Sequence, residues 1–291
     1  MVKENILGHN NFKEIATKGN FHVYEHQKDL SITPYAAIEY YYAAKMNVRK
    51  RQLLLELDNS SYTVQAGAMQ WSSGDVNMSS NVKGAGDFLG KLVSSAVTKE
   101  SAVKPVYQGT GKLMLEPTYR HIILMDVAEW GSVVLDDGLF LACDSHLKQK
   151  IVARSNISSA LLGGEGLFNL SLSGDGIVAL ESHVPYEELI EVQLVNDVMK
   201  IDGNMAIAWS GSLDFTVEKS GKSLLGSAVS GEGLVNVYRG TGKILMAPTA
   251  NNYRANPVAS DSNTSESQSK SRAEVAANMF DTVSNVIDMF S

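Results

Sequence analysis

A single cysteine, Cys143, is the whole thiol content of the 291 residues, which excludes an intramolecular disulfide framework and suits a reducing compartment. Long apolar runs are missing as well. No stretch approaches the ~18 consecutive apolar residues of a membrane-spanning helix, and the first residues, MVKENILGHNNFKE, lack the apolar core of a secretion leader. Basic charge is also short: 25 lysines and arginines stand against 32 aspartates and glutamates, a net charge of −7. Phosphate-rich partners need a basic surface, so nucleic acid is disfavoured as a partner. The sequence reads as a soluble cytoplasmic protein, and its 44% hydrophobic content is that of a packed globule.

Catalytic constellations are absent too. His22, Glu25 and His26 fit H-x-x-E-H, the inverted zinc-protease signature. That chemistry needs a helix to bring both imidazoles to one metal, whereas Phe21, Val23, Gly19 and Asn20 favour a strand. The other histidines are scattered without a third ligand, so these two read as surface residues and no metal is expected. Three Gly-X-Gly segments lack the third glycine and the helical sequel of a dinucleotide fingerprint. Lys112 and Lys243 follow two of them, yet no Ser or Thr comes next, and the phosphate-loop spacing fails. No Ser-His-Asp order and no paired carboxylates stand out. Glu165 and Glu232 sit between glycines, where a carboxylate accepts backbone N–H bonds. The expectation is no enzyme and no cofactor.

What the chain does have is repetition. GGEGLFNLSLSGDGIVALES from Gly163 to Ser182 has a near copy from Gly231 to Thr249 and a worn one from Glu100 to Thr118. Phe168, Leu170 and Leu172 alternate with Asn169, Ser171 and Ser173, the period-two pattern of a strand with one dry face. The glycine pairs that follow, Gly109 and Gly111, Gly174 and Gly176, Gly240 and Gly242, read as tight hairpins or bulged bends. A second feature, an apolar residue, a turn with Gly and an alternating strand, recurs around Gly67, Gly138 and Gly203 at nearly the same interval. The repeating unit is therefore a module of several strands, spanning roughly 53–117, 120–181 and 188–248. Three such sheets, each unable to bury its own face, are expected to close around a shared approximate three-fold axis.

Before each glycine-rich strand lies a loop of small residues with bare apolar side chains: Phe88, Leu89, Leu92 and Val93, then Leu161 and Leu162, then Leu224, Leu225 and Val229. Three-fold symmetry gathers them at one end, as core plugs or as a shared contact surface. Upstream, Ser31 or Thr33 followed by Pro34 starts a helix that runs to Met46, and packing is the expected role of Tyr40 to Tyr42. Lys45, Arg49, Lys50 and Arg51 read as a solvated strand edge. After Pro248 the composition turns to Asn, Ser and Asp, the mark of a disordered linker. It leads to Val275, Met279, Val283, Val286 and Phe290 at helical spacing.

Residues 1–46 thus form an N-terminal extension with a strand and a short helix. A triple-repeat β-domain covers 47–250, a linker 251–272 and an amphipathic helix 273–291. That last helix is expected to dock on an apolar surface of its own β-body or of a neighbouring subunit, with a protein partner as the alternative contact. Asp281 and Asp288 on it oppose anchoring to anionic lipid.

On the Gly-Gly-Glu-Gly-Leu-Phe string and its related copies, the chain resembles the family of mitochondrial-inheritance-type proteins. Their domain is similar in fold to the tryptophan RNA-binding attenuation protein. The resemblance covers Met46 to Pro248. It implies an all-β body of three related parts, similar to a short double-stranded β-helix and commonly assembled into homo-oligomers. It also implies membrane-linked roles in some members, hence peripheral membrane contact, but no reaction. The first copy has Ser101 and Ala102 where Glu232 and Gly233 stand, so a site repeated three times is incomplete there. The expected function is a non-enzymatic β-scaffold that oligomerises and docks protein partners. The alternative is a ring that binds RNA or a small ligand between modules.

Overall fold

Strands follow one another from Phe12 to Met246, and the protein is all-β: fifteen strands, three short 3-10 turns and one α-helix lie within the described part. The structure, a computed structural model, describes residues 9–80, 104–153, 168–203, 205–219 and 234–249. All of them belong to one unit, Met1–Asn251.

The chain opens with a hairpin of β1 (Phe12–Lys18) and β2 (Phe21–His26). Gly19, at φ +56°, turns it, a conformation that costs glycine nothing. FHVYEH is therefore a strand. A 3-10 turn at Pro34–Ala36 then leads into α1 (Ala37–Lys45).

Three longer stretches follow. The first is β3 (Arg51–Val64), β4 (Met69–Ser80) and β5 (Pro105–Leu115). In the second the same three passes are each broken in two, giving β6 (His121–Asp126), β7 (Ser132–Leu135), β8 (Phe140–Asp144), β9 (Lys148–Ala153), β10 (Phe168–Ser173) and β11 (Ile177–Ser182). The third is β12 (Ile190–Asp202), β13 (Ala206–Ser210), β14 (Asp214–Lys219) and β15 (Leu234–Met246).

In each stretch the last pass lies between the first and the second. β5 pairs with β3 and β4, β11 with β6 and β8, β10 with β7 and β9, and β15 with β12, β13 and β14. Registers correspond as well. Leu57 and Ser60 flank a bulge that faces Gly111 and Gly109, and Leu194 and Asp197 flank one that faces Gly242 and Gly240. The residues that form these bulges include Asn59 and Asn196, at φ +48° and +51°; asparagine tolerates this left-handed region better than most side chains. In the second stretch a 3-10 turn, Ala128–Trp130, takes the place of the bulge.

One expectation changes here, and one open reading is narrowed. The strands assort into two sheets of eight and seven, not three, because the second stretch is divided: β6, β8 and β11 join one sheet and β7, β9 and β10 the other. The Gly-X-Gly segments are bends and not hairpins. Gly109–Gly111 and Gly240–Gly242 lie inside continuous strands, and Gly174–Gly176 joins β10 to β11 at the crossing between sheets. Positive φ belongs to Gly109, Gly111, Gly174 and Gly240, while Gly176 and Gly242 lie outside that region. What keeps Gly242 a glycine is space: a Cβ there would stand 2.8 Å from Ser210 Cβ.

The core sits between and within these passes. Leu53 and Leu55 pack with Phe21, Tyr62, Leu113 and Ala179, each leucine worth about 1.5–3 kcal/mol of burial. Leu54, on the opposite face of β3, joins a cross-strand stripe of Phe12, Tyr24, Met114 and Trp71. Burial on both faces explains the uninterrupted LLL run. The dry-face pattern of β10 is incomplete, since Asn169 is buried along with Leu170 and Leu172.

Candidate functional site

The N-terminal helix and the residues flanking it carry a cluster of exposed apolar side chains. Good helix formers build α1, and Asn47, at φ +64°, supplies the left-handed residue just past its end. Arg49 Nε donates to the Ala44 carbonyl at 3.1 Å, a cation at the negative end of the helix. No residue of α1 is buried. Tyr35 is 99% exposed, Ile38 74% and Met46 77%. Tyr41 and Tyr42, exposed, meet edge to face at 5.4 Å, and Lys45 Nζ lies 5.4 Å from the centre of the Tyr41 ring. The expectation that Tyr40 to Tyr42 serve packing is corrected: only Tyr40 turns inward, 6.4 Å from the Tyr119 ring.

Polar clamps hold this helix in place of a packed face. Glu25 accepts from Arg49 Nη1 at 2.9 Å and from Arg51 Nη2 at 2.8 Å. Arg51 Nη2 also donates to Asn47 Oδ1 at 2.7 Å, just past the helix. Arg51 is 1% exposed, so it is not part of a solvated edge; its partner comes from a strand 26 residues upstream. Asp29 accepts from Tyr119 Oη at 2.6 Å and pairs with Lys50 at 2.9 Å. Burial pushes the Asp29 carboxyl up, but hydrogen bonds from Tyr119, Lys50 and Ser31 outweigh it and hold the group well below the usual carboxylate range.

His121 lies beside this cluster, and burial, helped by the charge of Arg51, lowers its pKa to about 4. The folded state therefore resists a proton that the unfolded chain accepts below about pH 6.5. Stability from His121 is full above that pH, is lost between pH 6.5 and 4, and changes no further below. His121→Gln should remove a loss of about 1–2 kcal/mol from the wild-type difference between pH 7 and 4.5, a figure reduced for partial solvent screening. Urea denaturation of both proteins at the two pH values measures it; equal losses would contradict the assignment.

Other reactive groups are occupied structurally. His22 stands 3.4 Å from Glu14 and His26 hydrogen-bonds Gln52 at 2.8 Å, while Glu25 is taken by the arginines. The H-x-x-E-H residues are thus not gathered on one ion, and no group of metal-ligating side chains occurs among the described residues. Cys143 is buried, which pushes its thiol pKa far up and leaves it inert as a nucleophile. Asp144, its carboxyl raised by burial, accepts from the Ile177 amide at 2.7 Å and pins the bend after Gly176.

Sequence reasoning found the glycine bends but missed the Glu25–Arg51 pair, since nothing local in either segment announces the other. Phe88, Leu89, Leu92, Leu161, Leu162, Leu224 and Leu225 lie outside the described residues, as does the whole of 251–291. No described helix is long and apolar enough to cross a membrane.

Comparison with known proteins adds the family. A Streptococcus pyogenes serotype M6 protein described as uncharacterised is 33% identical over 204 residues, 66% of this chain and 80% of its own length. A crystal structure of a Streptococcus pyogenes protein superposes with a TM-score of 0.52 at 28% identity, covering 70% of this chain and 90% of that one. The sequence model of the family described as mitochondrial biogenesis AIM24 matches residues 45–249. The match spans all three strand stretches and begins at the end of α1, so the chain belongs to the mitochondrial biogenesis AIM24 family, with the hairpin and nearly all of the exposed helix lying outside the matched region.

Proposed function

We propose that the protein is a non-enzymatic β-scaffold that assembles with copies of itself and presents α1 to a protein partner. The observation that carries this reading is the helix itself: nine residues with none buried, held by ion pairs at its base, with Tyr, Ile and Met left in water. Tyrosine and methionine are enriched at the centre of protein interfaces, where they give large contact area. Lipid is the weaker occupant, because Glu39 offsets Lys45 on the helix while Arg49 and Lys50 just past it are paired with Glu25 and Asp29. The similarity in fold to the tryptophan RNA-binding attenuation protein and the approximate three-fold axis belong to this same reading. The recurring register of Gly-X-Gly against a bulge supports both. RNA binding does not follow from them.

A photo-crosslinking residue at position 38 tests the proposal in cells. The expected result is one discrete protein adduct, lost on Tyr42→Ser and absent when the probe sits at exposed Glu129 in the 3-10 turn between β6 and β7. Adducts to phospholipid, or identical patterns from both positions, would overturn it.

A further inference from the structure

Two junctions join the three strand stretches, and they are built alike. At the first, Tyr62, Thr63 and Val64 of β3 pair with Asp144, Cys143 and Ala142 of β8. Gln65 N donates to the Leu141 carbonyl and Ser145 N to the Ser61 carbonyl at its ends. At the second, Val133, Val134 and Leu135 of β7 pair with Ser210, Trp209 and Ala208 of β13. Asp136 N donates to the Ile207 carbonyl and Gly211 N to the Ser132 carbonyl. In both, the first pass of one stretch meets the second pass of the next, in the same register.

The strand ladders identify the corresponding residues of a third junction. Tyr62, Val133 and Met199 face Tyr107, Leu172 and Tyr238 on the central passes. Trp71, Ala142 and Ala208 each follow an irregularity in pairing after Met69, Phe140 and Ala206. Extending the register places Ile201 opposite Trp71, Lys200 opposite Ser72 and Met199 opposite Ser73. The two edges are not joined: among the described residues β12 pairs only with β15, and β4 only with β5, in the other sheet. Both are long, and their side chains reach water, with Met69 40% and Val198 49% exposed.

We propose that β12 of one copy adds to β4 of a second copy in this register, repeating between chains the junction that is made twice within each. The proposal rests on the reading that copies assemble, and it names the surfaces. A long open edge is a template for pairing, and each copy offers one edge of each kind. The contact is therefore head to tail and continues to a ring or a filament. Lys200 replaces the buried Thr63 and Val134 of the internal junctions, so this junction keeps one wet face. β1, β6, β9 and β14 also have one strand partner each among the described residues, but no junction in the chain shows what would pair with their other edges.

Mixing two single variants of the full chain, Ser73→Cys and Met199→Cys, tests the register. These positions correspond to the non-hydrogen-bonded pairs of the internal junctions, where opposed Cα atoms come to about 4.5 Å, within disulfide range. The expected result after mild oxidation is a disulfide-linked dimer in the mixture and in neither variant alone, Cys143 being buried. Trp71→Cys with Ile201→Cys should behave likewise. Ser72→Pro removes an amide that by this register points away from β5, so it should raise the assembly dissociation constant at least tenfold with the thermal midpoint little changed. Sedimentation of the wild type separates the failures. A wild-type monomer defeats both the assembly reading and this proposal. An assembled wild type that gives no mixed disulfide in either pair defeats the register alone. An intramolecular bond in the Ser73→Cys/Met199→Cys double variant would show that the chain closes the junction on itself, which also overturns the proposal.

Discussion

Replacing Gly111 with valine is expected to cost about 3–5 kcal/mol, because it combines backbone strain with overpacking, each typically worth about 1–3 kcal/mol. Gly111 has φ +155°, and a Cβ there would collide with the Ser73 carbonyl oxygen of β4. That oxygen belongs to the backbone of a paired strand, so no side-chain rotation relieves the clash. β4 and β5 would have to separate where Gly74 faces Gly111. Gly67 provides the control. Its φ is +78°, but nothing lies within 4 Å of the Cβ position, so Gly67→Ala should cost only about 1 kcal/mol through strain. Urea midpoints of the two variants decide the matter; a Gly111→Val protein within 1 kcal/mol of the wild type would show that β4 and β5 are not this close.

The contrast between these glycines marks how far the sequence could be read. Gly-X-Gly after an alternating run announces a bend, and its recurrence announces a module, because turn chemistry and period-two burial are local properties. Which glycine needs positive φ and which needs empty space depends on the strand alongside, and the strand beside Gly111 begins some forty residues earlier. Asn59 and Asn196 were invisible for the same reason: only the glycines they face make them bulge residues. At α1 the helix formers were legible, yet the run of three tyrosines read as packing, since propensity cannot say whether a face meets a partner. The run KMNVRKR looks like surface, and three of its four cations do reach water in part; Arg51 does not. Family membership was the most legible property, because the glycine-rich string and its copies are read directly from the order of residues.

Replacing Glu25 with alanine is expected to destabilise the protein by about 3–5 kcal/mol, the range for breaking a buried ion pair from one side. Arg51 is fully buried and already has one nitrogen, Nε, without a hydrogen-bond partner. Removing Glu25 takes away the carboxylate paired with it and leaves Asn47 and the Arg49 carbonyl, among the described residues, to solvate a whole guanidinium. Arg49 loses its ion pair in the same step, but it is partly exposed and water compensates it. The cost therefore comes mainly from a stranded charge rather than from a lost attraction, which makes a second variant decisive. Glu25→Ala combined with Arg51→Met removes the charge along with its partner and keeps much of the volume, so it should recover most of the loss. Because the same residues clamp the chain on both sides of α1, the single variant should also loosen the helix, seen as faster amide exchange at Ala43 to Met46. A double variant no more stable than Glu25→Ala would locate the cost in packing, and unchanged exchange in the single variant would detach the clamp from the helix it is argued to hold.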